Sequence, residues 1–316
     1  MAWQEFKKGK SKKVDVQDFE FNLEDNIFQI YNELKNKTYF HSHYTSFFIQ
    51  DPKLRRIHKA CVKDRVIHHA VFRILYPVFN KSFIFDSYSC RLDKGTHRAV
   101  SRLEKFCCQT SKNNIKNIFA LKCDIKKFFD SIDQEILLEL IKNKIKDKNA
   151  LWLIKRIIRS FGQKNKKGIP LGNVISQLFA NIYLNELDQF VKHKLKEKYY
   201  LRYCDDFIIL SEDRGYLVEL IGLIRNFINT NLKLNLHQRK IIIRKYSQGI
   251  DFLGYVVLPH YKVLRTKTKK RIFKKIKHNK EILKQGIITK ESFDQSLQSY
   301  YGVLKHCKGH KIKVKL

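Results

Sequence analysis

The stretch Leu201-Arg202-Tyr203-Cys204-Asp205-Asp206-Phe207-Ile208-Ile209-Leu210 sets two adjacent carboxylates inside an apolar, β-branched and aromatic run. That pattern predicts a strand, a tight turn and a second strand, with the acids at the tip. Two neighbouring acids repel unless a cation lies between them, and a divalent metal is the natural cation. Taken alone, the stretch also reads as a solvated Asp-Asp turn. A second candidate lies upstream, where Ile118-Phe119-Ala120-Leu121-Lys122-Cys123 runs largely apolar into Asp124 before the pattern turns helical. A carboxylate at the end of a buried strand is costly unless paired or metal-bound. Carboxylates brought together at two strand ends would hold two Mg²⁺ about 4 Å apart, one lowering the pKa of an attacking hydroxyl and the other stabilising the leaving oxygen. This is the chemistry of nucleotidyl transfer. Mg²⁺ needs few protein ligands for it, because it keeps waters and substrate phosphates. Acids too far apart to share a metal cluster, or a lysine or arginine filling the gap between them, would remove that reading.

The remaining elements must position these acids. Leu23, Ile27, Ile30, Tyr31 and Leu34 recur at the spacing of a short amphipathic helix. From Asp51 to Arg98 the chain is basic and aromatic. Alternation around Ile57 and Val62 predicts a hairpin there, and Val66 to Tyr76 a helix that stops near Pro77. Residues 134–160 read as two amphipathic helices. Gly168-Ile169-Pro170-Leu171-Gly172-Asn173-Val174-Ile175-Ser176-Gln177 is a glycine-and-proline loop, and a long helix is expected from Ser176 onward. After the acidic hairpin come a helix over Leu217 to Leu232, a strand carrying Lys240, and Phe252-Leu253-Gly254-Tyr255. Between Lys262 and Lys280 there are basic residues and no acid, with Ile272, Phe273 and Ile276 at near-helical intervals. A folded basic helix following a phosphate backbone is the expected outcome.

Composition points the same way. The 316 residues include 64 Lys and Arg against 30 Asp and Glu, a formal net charge of +34, which selects a polyanion as partner. Nucleic acid leads; an anionic membrane would call for a basic amphipathic helix, usually beside a lipid anchor, and as no lipidation signature appears no membrane partner is expected. Seven cysteines without CxxC spacing point to a reducing compartment, and the polar residues that follow Met1 and Trp3 to a soluble, cytoplasmic chain. His306, Cys307 and His310 are read as packing residues rather than zinc ligands, as are His41, His43, His68 and His69.

Tyr203-Cys204-Asp205-Asp206 resembles the YxDD motif of reverse transcriptases. Asp124 with Phe128-Phe129-Asp130 resembles their first palm motif, and Phe252-Leu253-Gly254-Tyr255 the primer-grip turn. The likeness covers roughly residues 50–306. It implies an α+β, right-hand polymerase fold: an N-terminal segment and fingers over 1–115, a palm with an antiparallel sheet over 116–258 holding a helical fingers insertion at about 136–170, and a basic helical thumb over 259–316. Leu171-Gly172-Asn173-Val174-Ile175-Ser176-Gln177 further resembles the [I/V/L]GNxxSQ signature of diversity-generating retroelement enzymes. Most other reverse transcriptases carry Gln where Leu171 stands and Pro where Gln177 stands. Loss of that Gln implies reduced fidelity, with misincorporation opposite adenines of a template-repeat RNA. An RNA template, a DNA or RNA primer, dNTPs and an accessory variability protein are the implied partners.

The resemblance also implies roles. Asp124, Asp205 and Asp206 would hold two Mg²⁺ with the Ile125 carbonyl. Phe129 would gate the sugar, with Phe128 in the core. Lys63, Arg65 and Arg56 would grip the triphosphate, Lys240 would assist the leaving pyrophosphate, and Leu171 and Gln177 would adjoin the nucleotide. Tyr203, Phe252, Leu253, Gly254, Arg265, Lys269 and Lys270 would follow primer and template. The alternatives are a group II intron, retron-like or defence-associated reverse transcriptase, or a non-catalytic RNA-binding scaffold. Clustered acids argue against the scaffold, which gains nothing from negative charge beside phosphates.

Overall fold

The computed structural model describes residues 1–50, 53–162 and 165–316. Three N-terminal helices, α1 (Ala2–Lys7), α2 (Val14–Phe21) and α3 (Leu23–Lys35), lead into a two-stranded ribbon of β1 (Thr45–Gln50) and β2 (Leu54–Lys59). The ribbon register pairs Thr45 with Lys59 and Phe47 with Ile57. The hairpin therefore lies earlier than the alternation around Ile57 and Val62 predicts. Asp51 and Pro52, where the basic segment begins, lie outside the described residues.

Val62 instead opens α4 (Val62–Asn80), because its side chain is buried with Val66, Ile67 and Val71 along one helical face. Nor does the helix stop at Pro77. Its last turn persists past the proline, anchored by the buried rings of Tyr76 and Phe79. Then come α5 (Thr96–Thr110), β3 (Phe119–Asp124), a short α6 (Phe128–Ser131), α7 (Gln134–Lys142), α8 (Lys148–Arg159) and α9 (Val174–Gln189). The Asp133 side chain accepts from the Glu135 and Ile136 amides of α7 and the Asp147 side chain from the Ala150 amide of α8, the capping that starts both helices.

The central sheet adds β4 (Tyr200–Tyr203), β5 (Asp206–Ser211) and, after α10 (Arg214–Leu232), β6 (Ile242–Lys245). Its order is β4-β5-β3-β6, antiparallel throughout. Both faces are covered. Leu121, Cys123, Phe207 and Ile209 point into one core, which includes α9 and α10; Ala120, Ile208 and Leu210 point into a second core. This two-sided burial explains why these strands read as nearly continuous apolar runs rather than alternating ones.

A three-stranded sheet, β7 (Ile250–Phe252), β8 (Tyr255–Val257) and β9 (Lys262–Leu264), joins that second core. The chain closes with α11 (Thr266–Lys284), α12 (Lys290–Leu304) and α13 (His310–Lys313). Ile272 and Ile276 are the buried positions of α11, and its lysines face outward. The Tyr255 hydroxyl donates to the Val303 carbonyl at 3.0 Å, tying α12 to β8. His306 stacks on His97 with ring centroids 3.8 Å apart.

Candidate active site

The acidic turn forms as its sequence predicts. β4 ends at Tyr203, Cys204 and Asp205 make the turn, and Asp206 begins β5. Cys204 has φ +55°, the left-handed backbone that such a tight reversal needs. The pairing of β3 with β5 puts Asp124 directly opposite Asp206. The Ile125 amide donates to the Asp205 carbonyl at 3.3 Å, so the two strand ends meet. Burial raises the pKa of Asp205, and the Asp124 charge raises it further. Asp206 is pushed up to about 6, chiefly by burial and then by the charges of Asp205 and Asp124 and a hydrogen bond to Asp124. These shifts are the electrostatic signature of like charges crowded in a partly dry site.

Lys240 enters the same place. It sits in a 3₁₀ turn (Gln238–Lys240) just before β6, not on the strand as expected, and its ammonium lies 2.6 Å from Asp124 Oδ1. Its charge lowers the Asp205 pKa too little to reverse the upward shift. Lys240 thus pairs with Asp124, while burial and the neighbouring carboxylates keep the pKa values of Asp205 and Asp206 raised. Among the described residues no group of three or more His, Cys, Asp or Glu side chains is arranged as a metal cage. The donors that do converge are carboxylates, which are hard oxygens. That donor set fits a divalent cation of the Mg²⁺ kind, which takes one or two carboxylates and completes its shell with water and phosphate oxygens.

The first turn of α6 places two rings differently. Phe128 is in the core and Phe129 only partly buried, the rings edge to face at 5.4 Å. The Phe129 carbonyl accepts from the Ile169 amide at 2.9 Å, joining this turn to the glycine-and-proline loop. That loop in turn docks on β2. The Leu171 carbonyl accepts from the His58 amide at 2.9 Å, and the Asn173 side chain donates to the His58 carbonyl at 3.0 Å. Leu171 is half-buried and Gln177 exposed. Gln177 and Arg65 share the lining of a cavity of about 400 Å³ with Ile57, Lys59 and Gly172.

The other expected cations are engaged elsewhere. Lys63 pairs with Glu33 at 3.1 Å. Arg65 pairs with Asp15 at 2.5 Å, and Arg56 donates to Ser46 Oγ at 3.0 Å. No contact joins these three to the acids among the described residues. The Phe252-Leu253-Gly254-Tyr255 stretch is the β7–β8 reversal. Leu253 and Gly254 both have positive φ, +49° and +89°, the two-residue hairpin geometry that suits the twist of its strands. Phe252 is fully buried. Arg265 pairs with Asp251, its Nε 2.8 Å from Oδ1, while Lys269 and Lys270 are exposed on α11. Thr96 donates to the Tyr203 hydroxyl at 3.2 Å.

Two site neighbours escape the motif reading. Lys122, two residues before Asp124, donates to the Asp251 carbonyl at 3.1 Å and lowers the Asp206 pKa against the stronger effect of burial. Arg202, one residue before the motif, is fully buried against Asp188 of α9. The sequence does carry a signal for it: an arginine at a core-facing position of an apolar strand must have a partner.

Comparison with known proteins agrees with this geometry. The chain is similar to protein YkfC of Escherichia coli K12 (24% identity; 64% of this chain and 63% of that protein). It is also similar to the group II intron-encoded protein LtrA of Lactococcus lactis (28%; 78% and 51%) and to a putative COX1/OXI3 intron 2 protein of Saccharomyces cerevisiae (22%; 62% and 29%). The chain thus spans less than two thirds of the length of each. Among solved structures, an apo telomerase from Candida tropicalis superposes with a TM-score of 0.55 at 16% identity, covering 71% of this chain and 55% of that one. A telomerase from Candida albicans superposes with 0.54 at 13%, covering 87% and 58%. The fold is the α+β, right-hand polymerase architecture. The profile of the reverse transcriptase (RNA-dependent DNA polymerase) family matches residues 49–257, from the end of β1 through β8. By that match, which takes in both carboxylate-bearing strand ends, the chain belongs to the reverse transcriptase family.

Proposed function

We propose that the chain is an RNA-directed DNA polymerase of the diversity-generating retroelement type, copying a template-repeat RNA into error-prone cDNA in the cytoplasm. The observation that carries the polymerase reading is the meeting of Asp124 with Asp205 and Asp206 at two strand ends. Asp124, Asp205 and the Ile125 carbonyl would hold the divalent metal, with Asp206 beside them. When bound, the metal would supply charge stabilisation and an ionised primer hydroxyl. In this reading the chain's residues do the positioning. Lys240, already at Asp124, is poised for the leaving pyrophosphate. Phe129 would gate the sugar, Tyr203 and the Phe252–Gly254 reversal would support the primer end, and Arg65 and Gln177, which line one cavity, would adjoin the nucleotide. Lys63, Arg65 and Arg56 would first have to leave Glu33, Asp15 and Ser46 to reach a triphosphate. Exposed Lys269 and Lys270 would follow the duplex, with Arg265 braced by Asp251. Fingers over 1–115, palm over 116–258 and thumb over 259–316 remain the proposed division.

The retroelement reading rests on Leu171 through Gln177, where an aliphatic side chain stands in place of an amide that would help judge the base pair. It brings an accessory variability protein as a further partner. A group II intron reading is favoured by a different observation, the similarity to LtrA and to the yeast intron protein.

Primer extension on an adenine-containing RNA template tests both levels. Asp205→Asn should abolish extension while RNA affinity stays within about twofold, and retained synthesis would remove the metal assignment. Leu171→Gln should lower misincorporation opposite adenine about tenfold or more. An unchanged error spectrum in that variant would favour the intron reading.

A further inference from the structure

Behind the acidic turn lies a largely buried polar network. Arg202 of β4 is fully buried. Its Nε and Nη2 donate to the two oxygens of Asp188 at 2.7 and 2.6 Å, a parallel two-bond pair. Its Nη1 donates to the Cys204 carbonyl at 3.0 Å, and Nη2 also reaches Ser87 Oγ at 3.2 Å. Asn181 of α9 faces the same guanidinium at 3.4 Å. The Tyr200 hydroxyl donates to Asp188 at 2.7 Å, so the carboxylate is held by both residues of β4 that face α9. The Arg202 backbone is fixed too, its amide on the Asp86 carbonyl and its carbonyl on the Tyr88 amide, each at 2.9 Å.

Stability alone does not account for this arrangement. A buried ion pair gains little over two well-packed apolar side chains of similar volume, since desolvation offsets most of the attraction. What an apolar pair lacks is the third bond, to the carbonyl of Cys204. That residue holds a left-handed φ of +55°, a conformation that costs a non-glycine residue free energy and persists only where the surroundings enforce it. The next residue is Asp205. A guanidinium offers donors in several fixed directions, so one side chain can brace α9 and the turn together; an ammonium cannot reproduce that planar fork.

We propose that Arg202, held by Asp188, is a positioning residue of the active site: by gripping the Cys204 carbonyl it fixes the turn and thereby the direction of the Asp205 carboxylate. It touches neither substrate nor metal. The proposal rests on the polymerase reading of that turn.

Two variants of the full chain test it, with thermal unfolding, RNA affinity and primer extension measured on each. Arg202→Lys keeps the charge beside Asp188 and loses the bond to Cys204. It should fold and bind RNA within about twofold of the parent. Its kcat at saturating dNTP should fall about tenfold or more with KM nearly unchanged, and half-maximal rate should require several-fold more Mg²⁺. The pair Arg202→Met with Asp188→Leu refills the site with apolar atoms, so it should recover the parent's melting temperature but not its kcat. A parent-like kcat and Mg²⁺ dependence in either variant would overturn the assignment. Failure of both to fold would also overturn it, in favour of a role in holding the fold. Absence of extension by the parent itself would strike the polymerase reading instead.

Discussion

At the scale of single residues, the site is a place where repulsion is built in. Asp206 has its pKa raised to about 6 from an ordinary value near 3.8, with burial the largest cause. Its ionised form is therefore penalised by folding, in full above pH 6 and not at all below about pH 4. Asp206→Asn should accordingly stabilise the chain at pH 7.5, by about 1–2 kcal/mol after allowance for solvent screening of a side chain that is not fully enclosed. The gain should shrink as pH falls from 6 to 4, and urea titrations across that range measure it. A pH-independent difference would mean that Asp206 is not under this strain. Asp124, Asp205 and Asp206 were legible because acids inside apolar runs have few structural explanations. Lys63 and Arg65 were not. Whether a surface cation grips a ligand or pairs with Glu33 or Asp15 depends on helices remote in sequence, and no local pattern records it.

At the scale of elements, the loop before α9 and the β1–β2 ribbon act as one unit. Gly172 has φ +115°, and a Cβ there would lie 2.6 Å from Ile57 Cγ2. Gly172→Ala meets both a backbone penalty and a clash, and should cost about 1–2 kcal/mol of stability, read from the urea midpoint. It should also loosen the ribbon, which hydrogen exchange at the His58 amide would report, since that proton is bonded to Leu171. An alanine variant of parental stability and protection would refute the docking. The elements themselves were largely readable. The apolar periods of α7 and α8 predicted two helices, and the strand endings at Asp124 and Tyr203 fell where the acidic motifs were read. The start of α4 was misjudged because Val62 fits an alternating pattern as well as a helical one, and only burial against the N-terminal helices separates the two. Pro77 misled for a related reason: tertiary packing of Phe79 outweighs the missing hydrogen bond.

For the whole molecule, charge is the governing quantity. With a net +34, affinity for RNA should fall steeply with salt, as bound counterions are released from the phosphates. Replacing Lys269 and Lys270 by glutamine should lower the slope of log K against log salt by about 2 if α11 lies on the duplex, and leave it unchanged if it does not. Composition announced this behaviour; the placement of exposed lysines along one amphipathic helix over the second core was announced only in part, by Ile272 and Ile276.

The same excess of positive charge has a practical corollary at the β1–β2 ribbon. Its outer strand, β1, pairs with β2 alone among the described strands, and Phe47, Phe48 and Ile49 are exposed along it, with Leu54 exposed on β2. An open edge of this kind invites stacking of one molecule on another, and mutual repulsion is what keeps copies apart. Buffers concentrated enough to strip adhering RNA shorten the reach of that repulsion to about 3 Å. Preparations should therefore cluster during the very wash meant to clean them, and disperse again when oligonucleotide or arginine is returned; scattered light would register both steps.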